Sequence, residues 1–137
     1  MTLKRKLVWI AAVVGAPALI VVTATALTPE NAHVERRRTR TRIANVRAEV
    51  DRGLSEGASV AEVTRFLDIK HWEHSELVRP EAMFTDGRHY DKTPIIQVLF
   101  RNTAHSWLVR EDIHVIFVFG EEEKLVRTDV FPIYTGL

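Results

Sequence analysis

The chain contains no cysteine among its 137 residues. This absence excludes disulfide bonds, thiolate nucleophiles and cysteine-based zinc sites, and it removes the residue through which bacterial lipoproteins are attached to lipid. Glycine is scarce, with six residues, and none of them belongs to a Gly-rich phosphate-binding loop. Ser106 lies beside His105 but lacks the surrounding motif of a nucleophile elbow. The sequence therefore predicts a protein that is not an enzyme and holds no cofactor or metal.

One long apolar stretch lies near the N-terminus. Leu7 to Leu27 reads LVWIAAVVGAPALIVVTATAL, 21 residues without a charge, and a helix of about 20 apolar residues is long enough to cross a bilayer. One interpretation is an uncleaved membrane anchor over residues 1–27. The other is a cleaved signal peptide with the triplet Ala24-Thr25-Ala26 as its cleavage site, although the apolar part of a signal peptide usually spans only about 7 to 15 residues. The length favours the anchor.

Basic residues flank this stretch on both sides. Three precede it, Lys4 to Lys6, and five arginines follow between Arg36 and Arg42. Because both sides are basic, the positive-inside rule does not decide the orientation of this segment in the membrane. We favour an inside N-terminus, which places the C-terminal domain outside the cytoplasm of a bacterial-type cell envelope, or in the periplasm if the signal is cleaved. Residues 28–42 form a basic juxtamembrane stalk. Its arginines are either a solvated helix face or a binding site for anionic lipid headgroups.

The rest of the chain is acidic. Beyond Arg47 there are 10 Lys and Arg residues against 16 Asp and Glu residues, a net charge of −6. Nucleic-acid binding depends largely on neutralising phosphates with basic side chains. We therefore expect a protein partner and no nucleic acid.

Two helices are predicted before any strand. The first runs from about Glu30 to Arg52, with Gly53 as its C-cap, and only its second half has an apolar face, formed by Ile43, Val46, Val50 and Leu54. The second runs from Val60 to Ile69 and starts at a capping box formed by Ser59 and Glu62.

After Lys70 the apolar residues recur every second position, which is typical of strands. The predicted strands cover residues 71–78, 95–101, 113–119 and 124–131. A long polar loop, residues 79–94 with a turn at Asp86-Gly87, separates the first two, and residues 120–123 form a hairpin connection. Pro132 marks an edge strand or the end of the last strand. The order predicts an α+β domain over residues 43–137, in which two helices pack on a roughly four-stranded antiparallel sheet.

The segment GASVAEVTRFL and the hairpin IHVIFVFGEEEKLVRTDV resemble the SmpA/OmlA family of small, BamE-like outer-membrane assembly proteins. The likeness covers roughly residues 46–130. The matching positions are Gly57, Glu62, Val63 and Leu67 in the helix motif and Phe117, Phe119 and Leu125 in the hairpin motif. The resemblance implies the fold of β-lactamase inhibitory proteins and a role in assembly, whereas the family's lipid-modified cysteine is absent.

The face of the sheet away from the helices is the predicted partner-binding site, because it carries aliphatic side chains between polar ones. Its residues are Ile95, Leu99, His114, Ile116 and Val118. Under the alternative interpretation, the long loop folds back over this face through Met83, Phe84 and Tyr90 and makes it part of the core.

Two functions follow from these patterns. The first is a non-enzymatic, membrane-anchored envelope protein whose domain binds a protein partner through the sheet face or the long loop, as an assembly or scaffold factor. The second is a membrane-tethered hydrolase or metal-dependent enzyme that uses His71, His74 or His89. The spacing of His71, Glu73 and His74 is not that of a zinc-binding helix, which favours the first function.

Overall fold

The computed structural model describes residues 29–105 and 109–136. The chain divides into two compact units, Met1–Arg38 and Thr39–Leu137. The predicted anchor, Leu7 to Leu27, lies outside the described residues. In the part of the chain that the structure describes, no helix is both long enough and apolar enough to cross a membrane.

Two helices precede the strands. Helix α1 spans Pro29–Gly53 and helix α2 spans Val60–Ile69. The predicted capping box is present at the start of α2. The Glu62 amide donates to Ser59 Oγ over 3.2 Å, and the Ser59 amide donates to Glu62 Oε2 over 2.7 Å. These two bonds satisfy backbone N–H groups that have no partner within the helix, and the bond from the Ser59 amide to the carboxylate lowers the pKa of Glu62.

Gly53 ends α1 as predicted, but for a different reason. A C-cap glycine usually adopts a positive φ, and among the described glycines that conformation belongs to Gly57 and Gly87 instead. The ring of Phe66 packs so closely on Gly53 that an added Cβ would overlap it. Glycine is therefore required at this position by the packing of α2 on α1.

The five strands form two antiparallel sheets. Strands β1 (Phe84–Thr85) and β2 (Arg88–His89) form a small hairpin, and β3 (Ile95–His105), β4 (Val109–Phe119) and β5 (Leu125–Gly136) form a sheet in the order β3-β4-β5. The hairpin turn is Asp86-Gly87, as predicted, with φ values of 49° and 72°, which suit a tight two-residue connection. The described residues thus confirm the α+β class.

The predicted strand over residues 71–78 is the main difference from the sequence analysis. It is not a regular strand but lies beside β3 through two isolated bridges, His74 to Val98 and Val78 to Ile95. Between them the Gln97 amide donates to the side-chain oxygen of Ser75 over 3.0 Å, where a regular ladder would use a backbone carbonyl. The main sheet therefore has three strands and a partly paired neighbour, rather than four strands.

The first face of the sheet packs against the helices. Its buried side chains are those that the strand pattern predicted, Ile96 and Val98 from β3 and Ile113, Val115, Phe117 and Phe119 from β4. The helices contribute Val50, Val63, Phe66 and Leu67, with Ile43, Val46 and Leu54 packed at the margin. At the β5 edge, Arg47 Nη2 donates to the Val130 carbonyl over 3.1 Å. Pro132 lies inside this strand and has no N–H to donate, which suits an edge position.

Candidate functional site

The second face of the sheet is mostly interior rather than surface. Four of the five predicted contact residues are buried, Ile95 and Ile116 at 0% exposure, Val118 at 3% and His114 at 8%. Ile95, Ile116 and Val118 form an apolar cluster with Tyr90 and Phe131, and Met83 packs against it. Because Met83 and Tyr90 belong to the long loop, the loop folds back over this face. In the structure Ile95, Ile116 and Val118 are therefore covered by the loop, and their contact with a partner stays a prediction.

Tyr90 fixes the loop to the sheet. Its ring is fully buried, and its Oη donates a hydrogen bond of 2.9 Å to Asp129 Oδ2 on β5. Burial, followed by this hydrogen bond, raises the pKa of the Tyr90 phenol. The phenol therefore stays protonated and keeps donating at neutral pH.

Two arginines complete the environment of the buried Asp129 carboxylate. Arg127 Nε donates to Asp129 Oδ2 over 3.0 Å, and Arg88 Nη1 lies 2.9 Å from Oδ1. Both guanidinium groups are about half exposed. The proximity of Asp129 raises the pKa of Arg88, so this charge pairing persists at neutral pH. A buried carboxylate is costly unless it is paired and hydrogen-bonded, and these three donors meet that requirement.

The hairpin β1–β2 has one face toward the sheet and one toward solvent. Thr85 pairs with Arg88 and Phe84 pairs with His89, and successive strand residues point to opposite faces. Since Arg88 reaches Asp129, the Phe84 and His89 side chains lie on the outer face. The Phe84 residue is 64% exposed, and its ring centroid lies 4.7 Å from that of His89. Of the three loop residues expected to cover the sheet, Phe84 therefore points the other way.

The outer face of the hairpin is held in a defined position. Tyr90 N donates to the Met83 carbonyl over 2.8 Å, directly beyond the hairpin strands. Met83 N donates to Asp91 Oδ1 over 2.7 Å. With the contacts of Tyr90 and Arg88 to Asp129, these bonds fix both ends of the segment that carries Phe84 and His89. We call this Phe84 and His89 pair the outer loop surface.

Leu99 and His114 are the remaining predicted contact residues. They face each other across β3 and β4; Leu99 is 38% exposed, whereas His114 is 8% exposed. His114 Nε2 lies 3.0 Å from Gln97 Oε1, and its Nδ1 has no hydrogen-bond partner among the described residues. Burial lowers the pKa of His114, so its ring is neutral at pH 7. Only Leu99 of the five offers a substantial accessible surface.

The histidines considered for catalysis lie apart. His71 is exposed at the end of α2, and His89 is exposed on the hairpin. His74 Nδ1 lies 2.8 Å from the Ser75 carbonyl oxygen and its Nε2 lies 3.1 Å from Asp68 Oδ1. Both neighbours are acceptors, so the Ser75 carbonyl and then the Asp68 carboxylate raise the pKa of His74. Among the described residues, no three His, Asp or Glu side chains are arranged to hold a metal ion. The side chains of His105 and Ser106 lie outside the described residues.

The sequence analysis missed Asp129 and its two arginines. A charged residue at a core-facing strand position was the available signal: Asp129 pairs with the buried Ile116 and therefore faces the same apolar cluster.

No family model, curated protein or solved structure matches the chain.

Proposed function

We propose that the chain is a non-enzymatic, membrane-anchored envelope protein whose α+β domain binds a protein partner through the outer loop surface. Leu7 to Leu27 is the anchor, and the domain lies outside the cytoplasm. A role as an assembly or scaffold factor, which the likeness to BamE-like proteins implies, is part of this proposal.

The observation that supports the proposal is the exposed aromatic ring of Phe84. Burying a phenylalanine side chain contributes about 1.5–3 kcal/mol relative to leaving it exposed, yet this ring is held in solvent although an apolar cluster lies on the other side of the same loop. Aromatic side chains are enriched at protein interfaces. Because the hairpin is fixed on both sides, little conformational freedom is lost when a partner covers it.

The proposal moves the contact from the sheet face to the loop. Met83 and Tyr90 of the long loop pack against Ile95, Ile116 and Val118. These three side chains are therefore not accessible to a partner in this structure.

His74 and His89 each lie beside one carboxylate, Asp68 at 3.1 Å and Asp91 at 3.9 Å. Among the described residues no group of three His, Asp or Glu side chains is arranged to hold a metal ion, which supports a binding protein over a metal-dependent enzyme.

Site-specific crosslinking tests the contact. A photoreactive amino acid replaces Phe84 in the full chain, and the matched control replaces Val126, which is 56% exposed on β5. We expect one stoichiometric crosslinked protein from position 84 and none from position 126. In a separate pull-down without a crosslinker, the natural chain should recover the same protein and the Phe84→Asp variant should not. Equal crosslinking from both positions, or unchanged recovery with Phe84→Asp, would contradict the proposal.

The anchor is tested separately. If Leu7 to Leu27 is uncleaved, the mature protein begins at or near Met1 and stays in the membrane pellet after an alkaline wash. Recovery of a soluble form that starts at Leu27 would instead show a cleaved, periplasmic protein.

A further inference from the structure

A cleft opens to solvent between the end of α1, the connection that follows it and one side of α2. It has a volume of about 240 Å³, and its lining includes Leu54, Ala58, Glu62, Arg65, Phe66 and Ile69. We call it the α1–α2 cleft. An apolar cavity of about 150 Å³ can hold a benzene ring, so this cleft has room for one phenylalanine side chain.

The cleft has an apolar rim and a fixed shape. Ile69 is 69% exposed and Phe84 is 64% exposed, and these are the two most exposed large hydrophobic residues in the described part of the chain. The Phe66 ring packs tightly on Gly53, and the capping box fixes the start of α2. A cleft that is already formed loses little conformational freedom when a ligand fills it.

The cleft and the Phe84 ring lie on opposite sides of the sheet. The helices that line the cleft pack on the first face, and the long loop that carries Phe84 covers the second face. Because the sheet lies between them, a chain cannot place its own Phe84 ring in its own cleft, whereas a second copy can. Each copy has one ring and one cleft, so such a contact joins unlike surfaces and can repeat from copy to copy.

Charges beside the ring and the cleft are complementary. Asp86 lies in the hairpin turn two residues after Phe84, and Arg65 lines the cleft. Neither side chain forms an ion pair among the described residues. The opposite charges near them, on Arg88 and Glu62, are already engaged within the same chain. A second copy that inserts its ring would bring Asp86 toward Arg65, and such pairing orients two surfaces.

We propose that the outer loop surface of one copy binds the α1–α2 cleft of a second copy, with the Phe84 ring seated in the cleft, so that copies associate head to tail. This inference rests on the proposed function and names the partner of the outer loop surface. A contact centred on one ring is smaller than the roughly 1,200 Å² of stable interfaces, so the association is weak and depends on protein concentration. Anchoring in one membrane raises the effective concentration of the copies.

Native mass spectrometry of the full chain in detergent, over a range of protein concentrations, tests the proposal. We expect dimers and longer oligomers of the natural chain that increase with concentration. Phe84→Asp and Ile69→Glu should each weaken this association about 10- to 150-fold, the factor that corresponds to the roughly 1.5–3 kcal/mol gained by burying one large apolar side chain. Val126→Glu is the matched control, because Val126 is 56% exposed and does not line the cleft, and it should associate like the natural chain.

Mixing the two variants provides the decisive measurement. One variant is isotopically labelled so that mixed complexes have their own mass. The Ile69→Glu copy still provides a Phe84 ring, and the Phe84→Asp copy still provides an intact cleft. We therefore expect a complex with one copy of each variant and nothing larger, because its remaining ring and cleft are both altered. Formation of this complex also shows that both variants are folded.

Three results overturn the inference: a natural chain that is monomeric at every concentration, association that neither variant weakens, or a mixture of the variants that forms no one-to-one complex. These results differ from failure of the proposed function. A monomeric chain that crosslinks from position 84 to a different protein contradicts only this inference, whereas the absence of any crosslink from position 84 contradicts the proposed function itself.

Discussion

Removing the Tyr90 hydroxyl should loosen the long loop. Tyr90→Phe keeps the buried ring in its apolar cluster but deletes the 2.9 Å bond to Asp129. A hydrogen bond to a charged group contributes about 1.5–3 kcal/mol, and we expect the free energy of unfolding to fall by that amount. Arg127→Gln should cost less than about 1 kcal/mol, because the Arg127 side chain is about half exposed and Asp129 keeps its contacts with Arg88 and Tyr90.

A double-mutant cycle isolates the bond itself. Asp129→Ala removes the acceptor and leaves the buried Tyr90 hydroxyl unpaired, at a cost of about 1–3 kcal/mol for that group alone. In the background of Asp129→Ala, the further change Tyr90→Phe should therefore be neutral or stabilising. The coupling free energy between the two sites should therefore be at least about 1.5 kcal/mol, the smallest cost expected for Tyr90→Phe alone.

Urea unfolding and amide hydrogen exchange of the full chain provide the two measurements. Urea unfolding reports global stability. Exchange of the Tyr90 amide, which donates to the Met83 carbonyl, reports local opening of the loop and should accelerate in Tyr90→Phe. If Tyr90→Phe changes unfolding by less than about 0.5 kcal/mol, the level of an ordinary surface substitution, and leaves exchange unchanged, the hydroxyl does not hold the loop and the reasoning is wrong.

Three further predictions concern the core, a helix cap and pH. Phe117→Ala should cost about 3–5 kcal/mol because Phe117 is fully buried, whereas Glu122→Ala should cost less than about 0.5 kcal/mol; similar losses in urea unfolding would refute the strand register. Ser59→Ala should cost about 0.5–2 kcal/mol by removing the cap of α2, and unchanged helicity in thermal circular dichroism would contradict this. His74 has a raised pKa, which adds stability at a pH below its unfolded pKa of about 6.5, and this stability is lost as the pH rises through the folded pKa. His114 has a lowered pKa, so the protein loses stability as the pH falls from about 6.5 through the folded pKa of His114. Replacing either His74 or His114 with glutamine should therefore abolish one slope and leave the other in a pH series of unfolding midpoints, and identical pH profiles of the two variants would refute the assignment.

Local signals determined most of the secondary structure, but not the irregular segment over residues 71–78. The capping box of Ser59 and Glu62 and the turn at Asp86-Gly87 were predictable because their hydrogen bonds and φ angles involve residues within a few positions of each other. The strands predicted over residues 95–101 and 113–119 lie within β3 and β4, since alternation assigns each side chain to one of two faces without reference to distant residues. The structure extends β3 to His105 and begins β4 at Val109. The alternation of apolar residues likewise identified Phe117 as a core residue.

The role of each face was decided only by the tertiary structure. Alternation shows that the second face is apolar, but not whether a partner, water or another part of the chain covers it. The answer depends on the contact between Tyr90 and Asp129, which are 39 positions apart. No pattern within a short stretch of sequence predicts a contact between residues so far apart in the chain. The outward direction of Phe84 follows from the same contact, because fixing Arg88 and Tyr90 to the sheet leaves the opposite face of the hairpin in solvent.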